Sequence, residues 1–149
     1  MADDILSGKD DNYYAQIEAN EAAAIKLAAE SAYQRGALAQ DNFNYSKAYE
    51  HYKRATELVP DDVKYLENAG AMAVVGELDN EAVDCFLRIH NVDPNHFGDD
   101  INQYLTDLSI VGASPDSVEQ LAGQITQGIE ESEEAVSRDN QFYGSEYKP

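Results

Sequence analysis

The chain has 149 residues, of which 43% are hydrophobic and 26% charged, and its formal net charge is −19 at pH 7. This length suits one compact domain or a short stack of repeats, and it suffices to bury a core. The negative charge argues against nucleic acids and anionic membrane surfaces as partners, since both attract clustered Lys and Arg. No apolar run approaches the roughly 20 residues of a membrane span. The acidic residues 1–10 do not look like a secretory signal, and the single cysteine, Cys85, fits a reducing compartment, so we predict a cytoplasmic protein.

The first predicted elements are a flexible acidic segment, residues 1–10, and one long helix. Residues 12–41 contain no Pro, one Gly and many Ala, the residue with the best intrinsic helix propensity. The part of this helix at 11–28 is predicted as an extension with an apolar side, formed by Tyr13, Tyr14, Ile17, Ala24, Ile25 and Ala28. Two alternatives stay open for it: it folds back as a cap, or it projects and makes a homodimer, either by pairing with a second copy or by inserting in a neighbour's groove.

The middle of the chain contains an internal repeat. Four pairs of residues coincide at one constant separation, which we call the repeat offset: Gly36 with Gly70, Ala48 with Ala82, Tyr52 with Phe86, and Pro60 with Pro94. Small residues let two helices approach closely, and an aromatic residue one turn after the Ala fills the space between them. The Pro ends the second helix of each pair. The pattern predicts two helix hairpins, with helices at about 45–58, 63–75 and 80–90 after the long first helix.

A helix hairpin that repeats about every 34 residues resembles the tetratricopeptide repeat family. The resemblance implies an all-α fold, a right-handed superhelical stack of antiparallel hairpins forming one domain over residues 11–137. Its parts are repeat one at 29–62, repeat two at 63–96, a partial third repeat helix at 97–112 and a capping helix at 114–137, followed by a flexible tail at 138–149. Ser114 and Pro115 open the capping helix, whose apolar stripe covers the end of the stack. Ala32 and Leu66 depart from the family pattern, which usually has an aromatic residue there.

The sequence contains no catalytic constellation. The three histidines have no Cys or His partner at metal-binding spacing, and Cys85 has no nearby cation to activate it. Asp93 begins a segment similar to an EF-hand loop, but Tyr104 stands where the bidentate Glu is required. We therefore predict a protein that is not an enzyme and has no cofactor and no metal site.

The resemblance implies that the first helix of each repeat lines a concave groove that holds a partner polypeptide. The predicted groove residues are Tyr33, Gln34, Ala37, Gln40, Asp41, Glu67, Asn68, Ala71, Val74, Ile101, Asn102 and Leu105. Gln34, Asn68 and Asn102 recur at the repeat offset, and their amides can both donate to and accept from a peptide backbone. The groove has acidic residues near it and no cations at the positions with which family members bind a carboxylate. We therefore predict a neutral to basic protein or peptide as partner.

These features predict a non-catalytic adaptor for protein–protein interaction, with no nucleic acid as partner and no insertion into membranes. Two alternatives stay open. The chain could be a small acidic secretion-type chaperone that masks a client segment, or a scaffold that assembles with itself.

Overall fold

The fold is that of a computed structural model, which describes residues 11–110 and 112–146. This part of the chain is all-helical, as predicted, with six helices and no strand. The helices are α1 (Asp11–Asp41), α2 (Tyr45–Leu58), α3 (Val63–Val75), α4 (Asp79–Val92), α5 (Ile101–Asp107) and α6 (Pro115–Glu146). None of them combines the length and apolar character that a membrane crossing needs. The flexible ends predicted at 1–10 and 147–149 lie outside the described residues.

Short polar side chains fix where several helices begin. Asp62 accepts a hydrogen bond from the backbone N–H of Tyr65 at the start of α3, at 3.2 Å. The Ser114 hydroxyl accepts the backbone N–H of Ser117 at 3.1 Å, which confirms the predicted start of α6. Such side-chain caps satisfy N–H groups that have no partner within the helix. Because these caps are local, the predicted starts of α3 and α6 agree with the structure.

The turns between α1 and α2 and between α3 and α4 have the same backbone conformation at equivalent positions of the repeat. Phe43 and Glu77, which are one repeat offset apart, have positive φ angles of 60° and 59°. The N–H of Phe43 donates to the carbonyl of Gln40 at 3.0 Å, and the N–H of Glu77 donates to the carbonyl of Val74 at 3.1 Å. The backbone of the two turns therefore follows the periodicity of the sequence.

Each of these helix pairs docks through a glycine that lies against an aromatic ring. A Cβ atom on Gly36 would lie 2.7 Å from Cδ1 of Tyr52, and one on Gly70 would lie 2.9 Å from Cε2 of Phe86. Both distances are too short for carbon atoms in contact, so only glycine lets the two rings pack this close to the helix backbone. The rings of Tyr52 and Phe86 are buried. The predicted packing roles of these four residues are confirmed.

The largest cluster of buried side chains lies between α3, α4, α5 and α6. Phe97, in the loop before α5, inserts its ring 4.8 Å from that of Tyr104. The apolar stripe of α6 covers the cluster with Val118, Leu121, Ala122 and Ile125. The backbone of α6 comes close to α4 at Gly128, where a Cβ would lie 2.8 Å from Cδ1 of Leu87. This second use of a glycine was not predicted from the sequence.

Two helices differ in length from the predictions. Helix α5 is shorter than the predicted segment 97–112, because Gly98 and Ser109 have positive φ angles of 68° and 52° and interrupt the helix on both sides. Helix α6 is longer than the predicted capping helix 114–137 and includes residues 138–146 of the predicted tail. These residues include no Pro, and Arg138 bonds to Glu134 one turn earlier at 3.5 Å, which favours continuation of the helix at this point.

The N-terminal part of α1 projects from the rest of the molecule. Every residue from 11 to 28 is exposed, and Ala29 is the first buried residue of the helix. The alternative in which this extension folds back as a cap is therefore wrong. The helix runs without a break because no Pro or Gly precedes Gly36 in α1.

Candidate functional site

Two tyrosine–glutamate hydrogen bonds join α1, α3 and α5 side by side. The hydroxyl of Tyr65 on α3 donates to Oε2 of Glu30 on α1 at 3.2 Å. The hydroxyl of Tyr104 on α5 donates to Oε2 of Glu67 on α3 in the same way. Burial, with the hydrogen bond to Glu adding to it, raises the pKa of both tyrosines, so both hydroxyls keep their protons at neutral pH. We call the outer surface of these three helices the wall.

Tyr33 joins three helices at one end of the wall. Its ring centroid lies 5.5 Å from that of Tyr52 on α2 and 5.5 Å from that of Tyr65 on α3. On its remaining side, Nζ of Lys64 lies 4.1 Å from the ring centroid, in the geometry of a cation–π contact. Tyr33 is half-buried, so this predicted groove residue offers a partner only part of its ring.

Lys64 places a positive charge on the wall where the sequence analysis considered only acidic neighbours. The ammonium group lies over the same ring that packs against Tyr65, whose hydroxyl in turn binds Glu30. A cation and a carboxylate therefore lie near each other on adjacent helices. This end of the wall is mixed in charge and not uniformly acidic.

Glu67, predicted as a free groove contact, is engaged within the protein. Its Oε2 accepts the hydroxyl of Tyr104 and lies 3.2 Å from Nε2 of His96. The other ring nitrogen of His96 lies 3.8 Å from Oδ2 of Asp93, at the start of the same loop. The carboxylate thus ties α5 and the loop before it to α3, and this structural use leaves it half-buried.

The predicted column of amides is accessible on the wall. Gln34 and Asn102 are exposed and Asn68 is half-buried. Nε2 of Gln34 donates to Oε1 of Glu30 at 3.4 Å, and Nδ2 of Asn68 donates to the carbonyl of Lys64 at 2.7 Å, each within its own helix. These bonds hold the two side chains along the helix surface, where their amide groups stay within reach of a polypeptide lying across the wall.

The small residues Ala37 and Ala71 are half-buried, and Asp41 is exposed at the end of α1. Gln40 lies nearer the hairpin, because its Oε1 accepts the hydroxyl of Tyr52 at 2.7 Å. Gln40 therefore stabilises the docking of α2 on α1 and presents little of its amide to a partner.

Three predicted groove residues belong partly or wholly to the core. Val74 and Ile101 are half-buried and pack against the cluster between α3 and α6. Leu105 is only 1% exposed, so its prediction as a groove residue is wrong. The reason is that α6 crosses α5 and packs Leu121 and its neighbours in the same cluster as Leu105.

Tyr65 and Tyr104, which align the wall, were missed by the sequence analysis. Their glutamate partners precede them by 35 and 37 residues, so a comparison at the single repeat offset does not pair them. The signal that could have found them is a Glu on one predicted first helix followed, about one repeat later, by a Tyr on the next.

The described residues hold no cluster of three or more His, Cys, Asp or Glu side chains arranged for a metal ion. The thiol of Cys85 is buried, and its burial raises its pKa to about 11, so at neutral pH it stays protonated and is a poor nucleophile. The chain matches no protein-family model, no curated protein and no solved structure. The wall carries amides, small residues and charged side chains of both signs.

Proposed function

We propose that this protein is a non-catalytic, cytoplasmic adaptor of the tetratricopeptide type, which holds a segment of a partner polypeptide against the wall. The observation that carries the proposal is the equivalence of the two hairpins at the repeat offset. Gly36 meets Tyr52 as Gly70 meets Phe86, and the turn within each hairpin has the same hydrogen bonds. Hairpins that dock alike and stack in one direction leave their first helices on a common surface, which is where repeats of this type bind partners.

The chemistry of the wall supports an extended segment as the ligand. Asn68 and Asn102 present amide groups that match the donors and acceptors of a peptide backbone. Ala71, one turn after Asn68 on α3, is small and leaves room for a side chain of the ligand. The overall charge of −19 favours a neutral to basic segment and accelerates its approach.

The proposal is tested by removing two amides of the wall. In the double variant Asn68→Ala with Asn102→Ala, affinity capture from cell extract, quantified by mass spectrometry, should recover about tenfold less of the partner that the unchanged protein captures, since two hydrogen bonds to it are lost. The matched control is Gln120→Ala with Gln124→Ala, which removes two exposed amides from α6. Both variants should melt like the unchanged protein. Equal capture by the wall variant and by the control would refute this use of the wall.

Self-association is a second candidate function, favoured by the projecting part of α1. Every residue from 11 to 28 is exposed, and Tyr14, Ile25 and Leu27 are among the apolar side chains of this part of α1. A homodimer through this helix would cover such side chains, and it would present two walls on one assembly.

A further inference from the structure

One exposed face of α1 carries a regular seam of uncharged side chains. The spacing along the seam alternates between three and four residues, as in a coiled coil. We define the α1 seam as Ile17, Asn20, Ala24, Leu27, Ser31, Gln34 and Leu38, all of which are exposed. Leu27 is 72% and Leu38 63% exposed. The opposite face of the helix holds Ala29, Ala32 and Gly36, which pack into the protein.

The order of side-chain types along the seam is nearly the same from either end. Leu27 lies at the centre. Going outward in both directions, the seam presents small, then amide, then aliphatic side chains, in the pairs Ala24 and Ser31, Asn20 and Gln34, and Ile17 and Leu38. A second copy of the seam running in the opposite direction therefore meets side chains of the same kind at every level. This is the self-complementarity that a two-fold symmetric interface requires.

We infer that α1 pairs with α1 of a second copy of this chain, antiparallel, about a two-fold axis near Leu27. In this pair Leu27 meets Leu27 of the other copy, and the amide of Asn20 meets that of Gln34. The small side chains of Ala24 and Ser31 let the two helices approach closely on both sides of the axis. The inference deepens the self-association candidate above. It shares Gln34 with the wall, whereas Asn68 and Asn102, which test the wall, lie on other helices.

Charge favours the antiparallel sense. Each copy binds its own hairpin through the C-terminal part of α1, so antiparallel helices hold the two acidic bodies, from chains of formal charge −19 each, at opposite ends of the pair. Next to the seam, Glu21 and Arg35 lie on one side at similar distances from Leu27. In the antiparallel pair Glu21 of one copy therefore lies near Arg35 of the other, and symmetry makes this contact twice. No charged residue belongs to the seam itself.

The pairing also explains why α1 continues so far beyond the body. Most helical stability in proteins comes from packing of one helix face, and no residue from 11 to 28 is buried in the single chain. In the antiparallel pair, the extension of each copy packs along the part of α1 that its partner's own hairpin supports. The seam is about 30 Å long and about 10 Å wide, which is small for a protein interface, so we expect a weak dimer that dissociates reversibly.

Sedimentation equilibrium over a concentration series tests the pairing. The unchanged protein should pass from monomer to dimer as concentration rises, and Leu27→Glu should weaken the dimer at least about tenfold by placing two like charges at the axis. The matched control is Ile25→Glu, which adds the same charge to an exposed residue of α1 outside the seam and should dimerise normally. Circular dichroism checks that each variant stays helical. A protein that is monomeric at every concentration, or a dimer that Leu27→Glu leaves unchanged, would overturn the inference.

Disulfide trapping tests the direction of the helices. An equimolar mixture of Ile17→Cys and Leu38→Cys, treated with oxidised glutathione, should give a mixed disulfide between the two variants, whereas Ile17→Cys alone should stay unlinked. The native thiol of Cys85 is buried and does not interfere. Linking of Ile17→Cys to itself as readily as to Leu38→Cys would overturn the antiparallel pair. Neither experiment depends on Asn68 or Asn102, so failure of the dimer and failure of the partner-binding wall are distinguishable.

Discussion

Replacing Gly36 with Ala perturbs the contact that docks α1 on α2. The added Cβ would lie 2.7 Å from both Cδ1 and Cε1 of Tyr52, about 1 Å inside an ordinary carbon–carbon contact. The ring has little freedom to move away, because Tyr52 is 1% exposed and its hydroxyl is bound to Gln40. Overpacking of this kind costs about 1–3 kcal/mol. The higher helix propensity of Ala offsets about 1 kcal/mol of this cost, so we expect a net loss of about 0–2 kcal/mol.

A control in the same protein separates the two effects. Gly123 lies within α6, is exposed, and would have no atom within 4 Å of an added Cβ. Gly123→Ala should therefore show the propensity gain alone and stabilise the protein by about 0.5–1 kcal/mol. The two variants should differ by about 1–3 kcal/mol in their free energies of unfolding, which is the overpacking cost alone. Gly70→Ala, which meets Phe86 at 2.9 Å, should resemble Gly36→Ala.

Urea denaturation followed by far-UV circular dichroism measures these differences. The slope of unfolding free energy against urea should stay the same in all variants, so that shifts in midpoint report stability alone. If Gly36→Ala were as stable as Gly123→Ala, the ring of Tyr52 would not press on the backbone of α1, and the account of how the hairpins dock would be refuted.

Two further substitutions test polar contacts. Burial raises the pKa of Tyr52 from an ordinary value of 10 to about 12, so the stability that its protonated hydroxyl contributes is complete below pH 10 and is lost as pH rises through 12. When the pH is raised from 10 to 12, the free energy of unfolding measured by urea denaturation should therefore fall less for Tyr52→Phe than for the unchanged protein. An equally steep fall in both proteins would contradict this. Glu67→Gln removes the charged acceptor of Tyr104 and His96 and should cost about 1–2 kcal/mol in the same assay at pH 7. An unchanged denaturation midpoint would show that this carboxylate does not hold the loop.

Helix positions could be predicted where local chemistry sets them. The predicted bounds of α2 and α3 agree with the structure because both ends can be recognised in the sequence. Pro60 separates the two helices, and Asp62 caps the second of them. The end of α6 could not be predicted in this way. No residue between 138 and 146 is a Pro that would break the helix, and amphipathic patterning indicates where a helix packs but not where an exposed helix stops.

The wall could be predicted only in part, because exposure depends on what other elements cover. At the repeat offset, Leu105 corresponds to Ala71, which is half-buried and adjoins the wall. Leu105 lies in the core because α6 crosses α5, whereas no helix of the described chain crosses α3 in the same way. Gln40 was likewise assigned to the groove from its angular position on the helix. The hydroxyl of Tyr52 on α2 donates a hydrogen bond to its amide. A helical projection of α1 alone cannot reveal such a contact with a second helix.

The difference between the packing contacts and the polar contacts has a physical cause. The contacts of Gly36 with Tyr52 and of Gly70 with Phe86 leave no space between ring and helix. A change of one residue in their spacing would make the aromatic ring collide with the helix backbone. They therefore keep the same separation in both hairpins and appear as a strict period in the sequence. A Tyr hydroxyl can reach a Glu carboxylate from several relative positions of the two backbones. Rotation about the side-chain bonds compensates for a shift of either backbone. The two Tyr–Glu bonds of the wall accordingly occur at separations of 35 and 37 residues. A strict period thus identifies how the hairpins dock, while the polar groups that align their outer surface have to be found in the structure.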